Sequence, residues 1–191
     1  TYSWPQILAK SGIDMWVTSK LTWNDTNQFH RGPFMWKGAD GTEMPSYNLT
    51  HNYTAGADER TLRSTLDSVA ACGLTVTESL HLYGSGDHGG GPTTSDVSNI
   101  HSADSNSEFT AECDTVLNYY NNYLVNHLAD LKVIDDELYL ETHRGVYTSQ
   151  ASTKWGNRMS EIRAEEAEKF SSILEWMNGV YPMGPITDIW V

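Results

Sequence analysis

The chain has 191 residues, 25 acidic against 12 basic side chains, and a formal net charge of −13. This acidic balance argues against nucleic acid and anionic membranes as partners, because phosphate binding depends on Lys and Arg. No apolar run approaches the roughly 20 residues that a membrane-spanning helix needs. Seven Trp and ten Tyr suit a neutral, polyhydroxylated substrate, since flat rings stack well on sugar faces, although core packing explains most of these rings.

Short helices and strands are predicted at the start of the chain. A helical turn at residues 6–10 precedes a buried strand at residues 13–18. Weaker strands at residues 34–37 and 43–44 flank Asp40-Gly41, a dipeptide that is typical of a hairpin turn. The first part of the chain is therefore expected to contribute strands to a sheet.

A helix, a strand and a glycine-rich loop are predicted next. Asp58 is expected to cap the N-terminus of a helix that Gly73 closes. The apolar side of this helix carries Leu62, Leu66, Val69 and Ala70. A strand at residues 74–83 follows. This alternation of helix, strand and loop indicates an α/β barrel or a doubly wound sheet.

The loop after that strand, GSGDHGGGPT at residues 84–93, places Asp87 and His88 among five glycines. Glycine at this density lets the backbone adopt positive φ and approach a ligand closely. In α/β enzymes, loops that follow buried strands carry the chemistry. We therefore predict a functional loop. The alternative is a flexible surface turn in which Asp87 caps its own backbone.

Gly84, Gly86 and Gly89 also satisfy the dinucleotide-binding spacing G-x-G-x-x-G. That motif begins its helix inside the glycines, where further Gly and Pro residues would cost on the order of 5–6 kcal/mol. A later start fits better, with Thr93 as the N-cap and Asp96 three residues on, in the arrangement of a capping box. The nucleotide-binding interpretation is therefore weak.

The second half of the chain is predicted to be mostly helical. A long helix is expected at residues 108–131, a short strand at 137–141 and a loop at 142–150. A purely helical pattern then runs from 151 to 177, with an apolar stripe and charged residues on the other faces. Such a long helix favours a domain boundary near residue 150.

Five segments together resemble the α-mannosidases of glycoside hydrolase family 38. They are PQIL at 5–8, KLTWNDTN at 20–27, the loop GSGDHGGGPT at 84–93, ELYLETHRGVYTSQ at 137–150 and KWGNR at 154–158. The likeness is greatest to the branch related to cytosolic and bacterial enzymes. It extends over nearly the whole chain, and the segments occur in the family's order.

The resemblance implies an incomplete seven-stranded α/β barrel followed by the start of an α-helical bundle. Residues 1–150 would then be the C-terminal part of the catalytic barrel, and residues 151–191 the beginning of the helical middle domain. It also implies retaining hydrolysis of terminal α-D-mannosyl residues, which needs two carboxylates about 5–5.5 Å apart. A divalent metal, usually zinc, would contact the sugar hydroxyls.

Only part of that active site is expected within these residues. Tyr2-Ser3 matches the segment that follows the family's nucleophile, although Pro5 stands closer to it than in the family. The nucleophile and the metal ligands are expected outside the chain, and no residue here is assigned to the metal. We therefore expect no turnover by the 191 residues alone.

By the same resemblance, Asp87 is the candidate general acid/base. The residues predicted to contact substrate are Trp23, Asn24, Asp25, His88, His143, Arg144 and Tyr147. A surface salt bridge between Arg144 and Glu141, or turn formation by Asn24, would be the structural alternatives.

Two competing interpretations stay open. The chain could be a non-catalytic, carbohydrate-binding or structural α/β fragment, since the nucleophile and the metal ligands are expected elsewhere. His81 and His88 could form a metal pair, which would need a third ligand that the sequence does not place.

Overall fold

A computed structural model of the protein describes residues 2–73, 78–87, 90–104, 108–143 and 151–179. The chain divides into two compact units, Thr1–Thr142 and His143–Val191. The first unit is mixed α/β, which confirms the predicted class. The second contains a long helix.

The described part of the first unit contains a four-stranded mixed sheet with the strand order β1-β3-β2-β4. The strands are β1 (Trp16–Thr18), β2 (Gly32–Lys37), β3 (Glu43–Asn48) and β4 (Val133–Ile134). β1 is parallel to β3, β2 is antiparallel to β3, and β4 is parallel to β2. The seven-stranded barrel stays a prediction.

The predicted hairpin at Asp40-Gly41 is confirmed by the antiparallel pairing of β2 with β3. The Asp40 carboxylate accepts a hydrogen bond from the Thr42 backbone N–H at 3.0 Å, and Gly41 has a φ of 85°. An L-residue side chain is disfavoured at that φ, so Asp-Gly is suited to this turn.

Parallel pairing of β1 with β3 brings the ends of both strands to one edge of the sheet. Thr18 lies opposite Asn48, and the Leu49 N–H donates to the Thr18 carbonyl at 2.8 Å. The segments that follow these strands therefore leave the sheet side by side. Ligands of α/β proteins bind outside the carboxyl ends of parallel strands.

The first unit has the helices α1 (Trp4–Lys10), α2 (Glu59–Ala70) and α3 (Thr94–Asp104). Side chains satisfy free N–H groups at the starts of α2 and α3. Asp58 caps α2 by accepting from the Thr61 N–H at 3.2 Å, as predicted. At α3 the Asp96 carboxylate accepts from the Thr93 N–H at 2.8 Å, and the Thr93 hydroxyl accepts from the Asp96 N–H at 3.1 Å. This reciprocal pair is the predicted capping box, and it places the helix start after the glycines.

Apolar side chains cover both faces of the sheet. Successive side chains of β2 alternate, so Met35 packs with Tyr47 and Val69 on one face, and Phe34 and Trp36 pack on the other. The second cluster also includes Leu21 and Leu138, which follow β1 and β4 in the chain. Packing on both faces is usual for sheets with parallel pairing.

The long helix predicted at 108–131 is wrong over its first turns. The helix α4 spans Val116–Asn122, and a 3₁₀ helix follows at Leu124–Asp130. Thr115 caps α4 by accepting from the Asn118 N–H at 3.1 Å. A Thr that bonds the backbone in this way competes with helix formation on its N-terminal side, which explains the late start.

The strand predicted at 137–141 is also wrong. Asn24 takes the backbone groups that a strand ladder would use, because its amide donates to the Tyr139 carbonyl and accepts from the Glu141 N–H. Of the strand predicted at 74–83, residues 74–77 lie outside the described residues. Residues 78–83 make a single parallel bridge, from Tyr83 to Ala55.

In the second unit, α5 spans Ala151–Asn178, which confirms the predicted helix. Ion pairs one turn apart support it, for example Arg158 with Glu161 at 2.7 Å and Lys169 with Glu165 at 3.2 Å. Among the described residues, no helix is both long enough and apolar enough to cross a membrane. The boundary near residue 150 stays a prediction.

Candidate active site

The glycine-rich loop lies next to the segment that follows β3. Tyr83 forms a parallel bridge with Ala55, and the Gly84 N–H donates to the Ala55 carbonyl at 3.2 Å. The neck of the loop closes through the Ser85 N–H, which donates to the Gly91 carbonyl at 2.8 Å. Backbone hydrogen bonds therefore fix both the base and the neck of the loop.

Two glycines are required by the geometry inside this loop. Gly86 has a φ of 94°, which L-residues rarely adopt. A Cβ atom at Gly90 would overlap the backbone carbonyl of Ser85. Glycine is therefore needed directly before Asp87 and again at position 90, and the Asp87 side chain is exposed.

Asp87 is joined to the segment after β1 through two intermediate side chains. The Tyr53 hydroxyl donates to the Asp87 Oδ1 atom. The Lys20 ammonium lies 5.1 Å from the centroid of the Tyr53 ring and 3.5 Å from the centroid of the Trp23 ring. Such cation–π contacts hold the ammonium over the ring faces. A carboxylate, a phenol, an ammonium and an indole thus follow one another at the edge where β1 and β3 end.

Asn52 connects the two strand ends directly. Its side-chain oxygen accepts hydrogen bonds from the Tyr53 N–H at 2.9 Å and from the Ser19 hydroxyl at 3.2 Å. A turn forms where the Ala55 N–H donates to the Asn52 carbonyl at 3.0 Å. The backbone of Tyr53 is therefore held by the fold independently of Asp87.

The segment around Asn24 is fixed by Glu141. The Glu141 carboxylate accepts three backbone N–H bonds at 2.9 Å each, from Asp25, Thr26 and Asn27. The Asn24 amide bonds the chain around Glu141, accepting from the Glu141 N–H at 2.7 Å and donating to the Tyr139 carbonyl at 3.0 Å. Both side chains are buried, with 5% of Asn24 and 6% of Glu141 exposed. These hydrogen bonds from Asn24 and Glu141 favour a structural role for Asn24 rather than contact with substrate.

Replacing Glu141 with Gln is expected to destabilise the protein by about 2–3 kcal/mol, because hydrogen bonds to charged groups contribute about 1.5–3 kcal/mol. An amide nitrogen would also face one of the three N–H donors. Urea unfolding followed by Trp fluorescence measures the change. Glu137→Gln is the matched control, since Glu137 is exposed and a surface change of this kind stays within about 0.5 kcal/mol. Equal losses in the free energy of unfolding for the two variants would show that the three hydrogen bonds to Glu141 do not stabilise the fold.

The residues predicted from the sequence fall into three groups. Trp23 is half-buried, Asn24 is buried, and Asp25 and Asp87 are exposed residues of the first unit. His143 is an exposed residue of the second unit. His88, Arg144 and Tyr147 lie outside the described residues. The substrate and acid/base roles of all these residues stay predictions.

Sequence reasoning missed Tyr53, Lys20 and Glu141. The position of Lys20 just after a predicted strand could have indicated a residue near the site. The position of Glu141 within a segment that resembles the family could have done the same. Tyr53 offered no signal, because its link to Asp87 spans 34 positions in the chain.

Within the described ranges, no group of three or more His, Cys, Asp or Glu side chains could hold a metal ion. His81 is a poor ligand, because its Nδ1 atom bonds the Thr65 hydroxyl at 3.1 Å and its Nε2 atom bonds the Gly56 carbonyl at 3.0 Å. The described residues therefore do not fit a metal site.

An aromatic groove with a volume of about 340 Å³ lies beside Lys20 and Leu21, which follow β1. Three indoles contribute to its wall, those of Trp4, Trp16 and Trp36, and Lys20 and Tyr139 supply polar groups. The Trp16 and Trp36 rings pack 4.9 Å apart at 39°. Trp36 is buried in the core, so the accessible indoles are those of Trp4 and Trp16, and exposed indole faces with a few polar groups are suited to sugar rings.

Comparison with known proteins gives a family match over most of the chain. Residues 1–137 match the N-terminal domain of the glycosyl hydrolases of family 38. This range includes both the Lys20–Trp23 segment and the glycine-rich loop.

Several curated proteins are similar over 97% of this chain. Alpha-mannosidase G of Dictyostelium discoideum is 33% identical, and the chain covers 17% of it. An alpha-mannosidase of Saccharomyces cerevisiae is 34% identical and human alpha-mannosidase 2C1 is 28% identical, with 18% of each covered. The chain thus spans less than a fifth of the length of these relatives.

Proposed function

The chain belongs to glycosyl hydrolase family 38, and we propose that it forms part of the active site of an α-mannosidase. The intact enzyme would hydrolyse terminal α-D-mannosyl residues of mannose-containing glycans with retention of configuration. Asp87 would be the general acid/base. The observation that carries this proposal is the Asp87 carboxyl group on a tethered glycine loop, at the edge where β1 and β3 end.

The first chemical step follows from a carboxylic acid at position 87. The bond from the anomeric carbon to the leaving oxygen breaks, and its electron pair stays on that oxygen. The oxygen takes the proton of Asp87, while a carboxylate of the enzyme bonds to the anomeric carbon. In the second step Asp87 removes a proton from water, which displaces the enzyme carboxylate from the sugar. Trp23 and Lys20 would face the sugar with a ring and a hydrogen-bond donor.

We also propose the wider arrangement that the family resemblance implies. β1 and β3 would belong to a seven-stranded barrel, and α5 would begin a helical middle domain after residue 150. The second carboxylate and a divalent metal, with zinc expected, would be supplied from outside the described residues. The metal would orient the sugar hydroxyls when bound.

Product configuration tests this function in the full-length gene product. We expect hydrolysis of an aryl α-mannoside, with α-mannose as the first product in a proton NMR time course. An aryl β-mannoside is the matched control and should not be cleaved. First appearance of β-mannose would contradict retention, and absence of any cleavage would contradict the glycosidase function.

A second candidate function is carbohydrate binding without catalysis, which the accessible rings of Trp4 and Trp16 in the groove favour. An α-mannoside would then change the Trp fluorescence of the full-length gene product without being hydrolysed. Turnover of the same glycoside would rule out this alternative.

A further inference from the structure

Tyr53 is placed by the fold rather than by its partner Asp87. Its N–H bonds Asn52, and the segment from Asn52 to Ala55 is docked against Gly84 at the base of the glycine loop. The ring of Tyr53 is half-buried below the Lys20 ammonium. The backbone and the ring of Tyr53 are therefore held by contacts that do not involve Asp87.

This hydroxyl acts as a hydrogen-bond donor to the Asp87 Oδ1 atom. The hydrogen bond with Asp87 raises the pKa of Tyr53 above its ordinary value, which favours the protonated phenol as the donor. A carboxylic acid that accepts at one oxygen carries its proton on the other. With Oδ1 engaged by Tyr53, the acidic proton of Asp87 would be on Oδ2.

We propose that Tyr53 is a positioning residue for the general acid/base. Its hydroxyl holds Oδ1 of Asp87 and thereby presents the Oδ2 proton to the glycosidic oxygen. When the leaving oxygen takes that proton, the charge that remains on Asp87 is stabilised by the same phenolic donor. This inference rests on the proposed α-mannosidase function.

Replacing Tyr53 with Phe in the full-length gene product tests the inference. The variant keeps the ring, and with it the contact with Lys20, but it loses the hydroxyl. For an alkyl α-mannoside, we expect kcat/KM to fall roughly tenfold, a modest part of the 10²- to 10⁴-fold that acid–base catalysis contributes. For 2,4-dinitrophenyl α-mannoside, whose leaving group needs no proton, we expect kcat/KM to fall less than twofold. The ratio kcat/KM is compared because it reports the step in which the leaving group departs.

Tyr120→Phe is the matched control, since it removes a hydroxyl from α4 and should leave both rates unchanged. A merely structural role of Tyr53 would lower kcat/KM equally for the two leaving groups. In an Asp87→Asn background, Tyr53→Phe should have no further effect on leaving-group dependence, because the acid is already absent.

The outcomes separate this inference from the proposed function. If the leaving-group dependence of kcat/KM is steeper in Asp87→Asn than in the unmodified enzyme, but unchanged in Tyr53→Phe, the positioning role is wrong and the function stands. If Asp87→Asn has the same leaving-group dependence as the unmodified enzyme, the assignment of Asp87 fails and the role of Tyr53 fails with it.

Discussion

Asp87→Asn is expected to lose about 10²- to 10⁴-fold in kcat/KM, which reports the step that breaks the glycosidic bond, on α-mannosides with poor leaving groups. An amide has the shape of the carboxyl group but cannot deliver a proton to the leaving oxygen. Activated substrates such as 2,4-dinitrophenyl α-mannoside should lose far less, because their leaving group departs as a stable anion. The slope of log kcat/KM against leaving-group pKa measures the effect in the full-length gene product.

Asp14→Asn is the control for this substitution. Asp14 is an exposed carboxylate that precedes β1, and its change should leave the slope unaltered. Identical slopes for the Asp87 variant and the unmodified enzyme would remove Asp87 from the acid/base role.

Gly90→Ala is expected to reduce kcat/KM about 100-fold. The new Cβ atom would overlap the Ser85 carbonyl, so the neck of the loop must shift and carry Asp87 with it. Misplacing a catalytic group by about 1 Å can cost 10²-fold. The measurement is kcat/KM on an aryl α-mannoside, together with circular dichroism to show that the fold is kept.

Gly91→Ala is the matched control, because it adds the same methyl group to the loop one residue away. A Cβ atom at Gly91 meets no atom within 4 Å, so this variant should keep its activity. If the two alanine variants were equally active, the shape of the loop would not control Asp87.

Local features of the fold were predictable from the sequence. The hairpin at Asp40-Gly41, the Asp58 cap and the capping box of Thr93 with Asp96 are each made by residues at most three positions apart. Their geometry depends on nearby backbone groups and on the chemistry of a short polar side chain. The position of the glycine loop as a functional candidate followed from composition in the same way.

Features that depend on distant contacts were not predictable. Asn24 bonds the Glu141 N–H across 117 positions, and this bond replaces the strand expected at 137–141. The late start of α4 was not predictable for a similar reason. The apolar periodicity before Val116 is typical of a helix, but Thr115 caps a helix that begins only at Val116. Periodicity reports which side chains are buried but not which polar groups compete for the backbone.

The link between Tyr53 and Asp87 illustrates what the fold adds to a family motif. The sequence indicates which carboxylate to consider, since Asp87 lies in a segment that resembles family 38 enzymes. The parallel pairing of β1 with β3 then brings Lys20 and Tyr53 to the same edge. Only the tertiary structure relates these side chains to the loop.

Anion trapping with Asp87→Ala addresses the acid/base role most directly. The variant can still form a mannosyl-enzyme from 2,4-dinitrophenyl α-mannoside, but it lacks the base that activates water. Azide needs no base and fits the space left by the carboxyl group, so we expect faster turnover and an α-mannosyl azide product. A β-mannosyl azide would identify Asp87 as the nucleophile instead, and unchanged turnover without any azide adduct would show that Asp87 takes no part in catalysis.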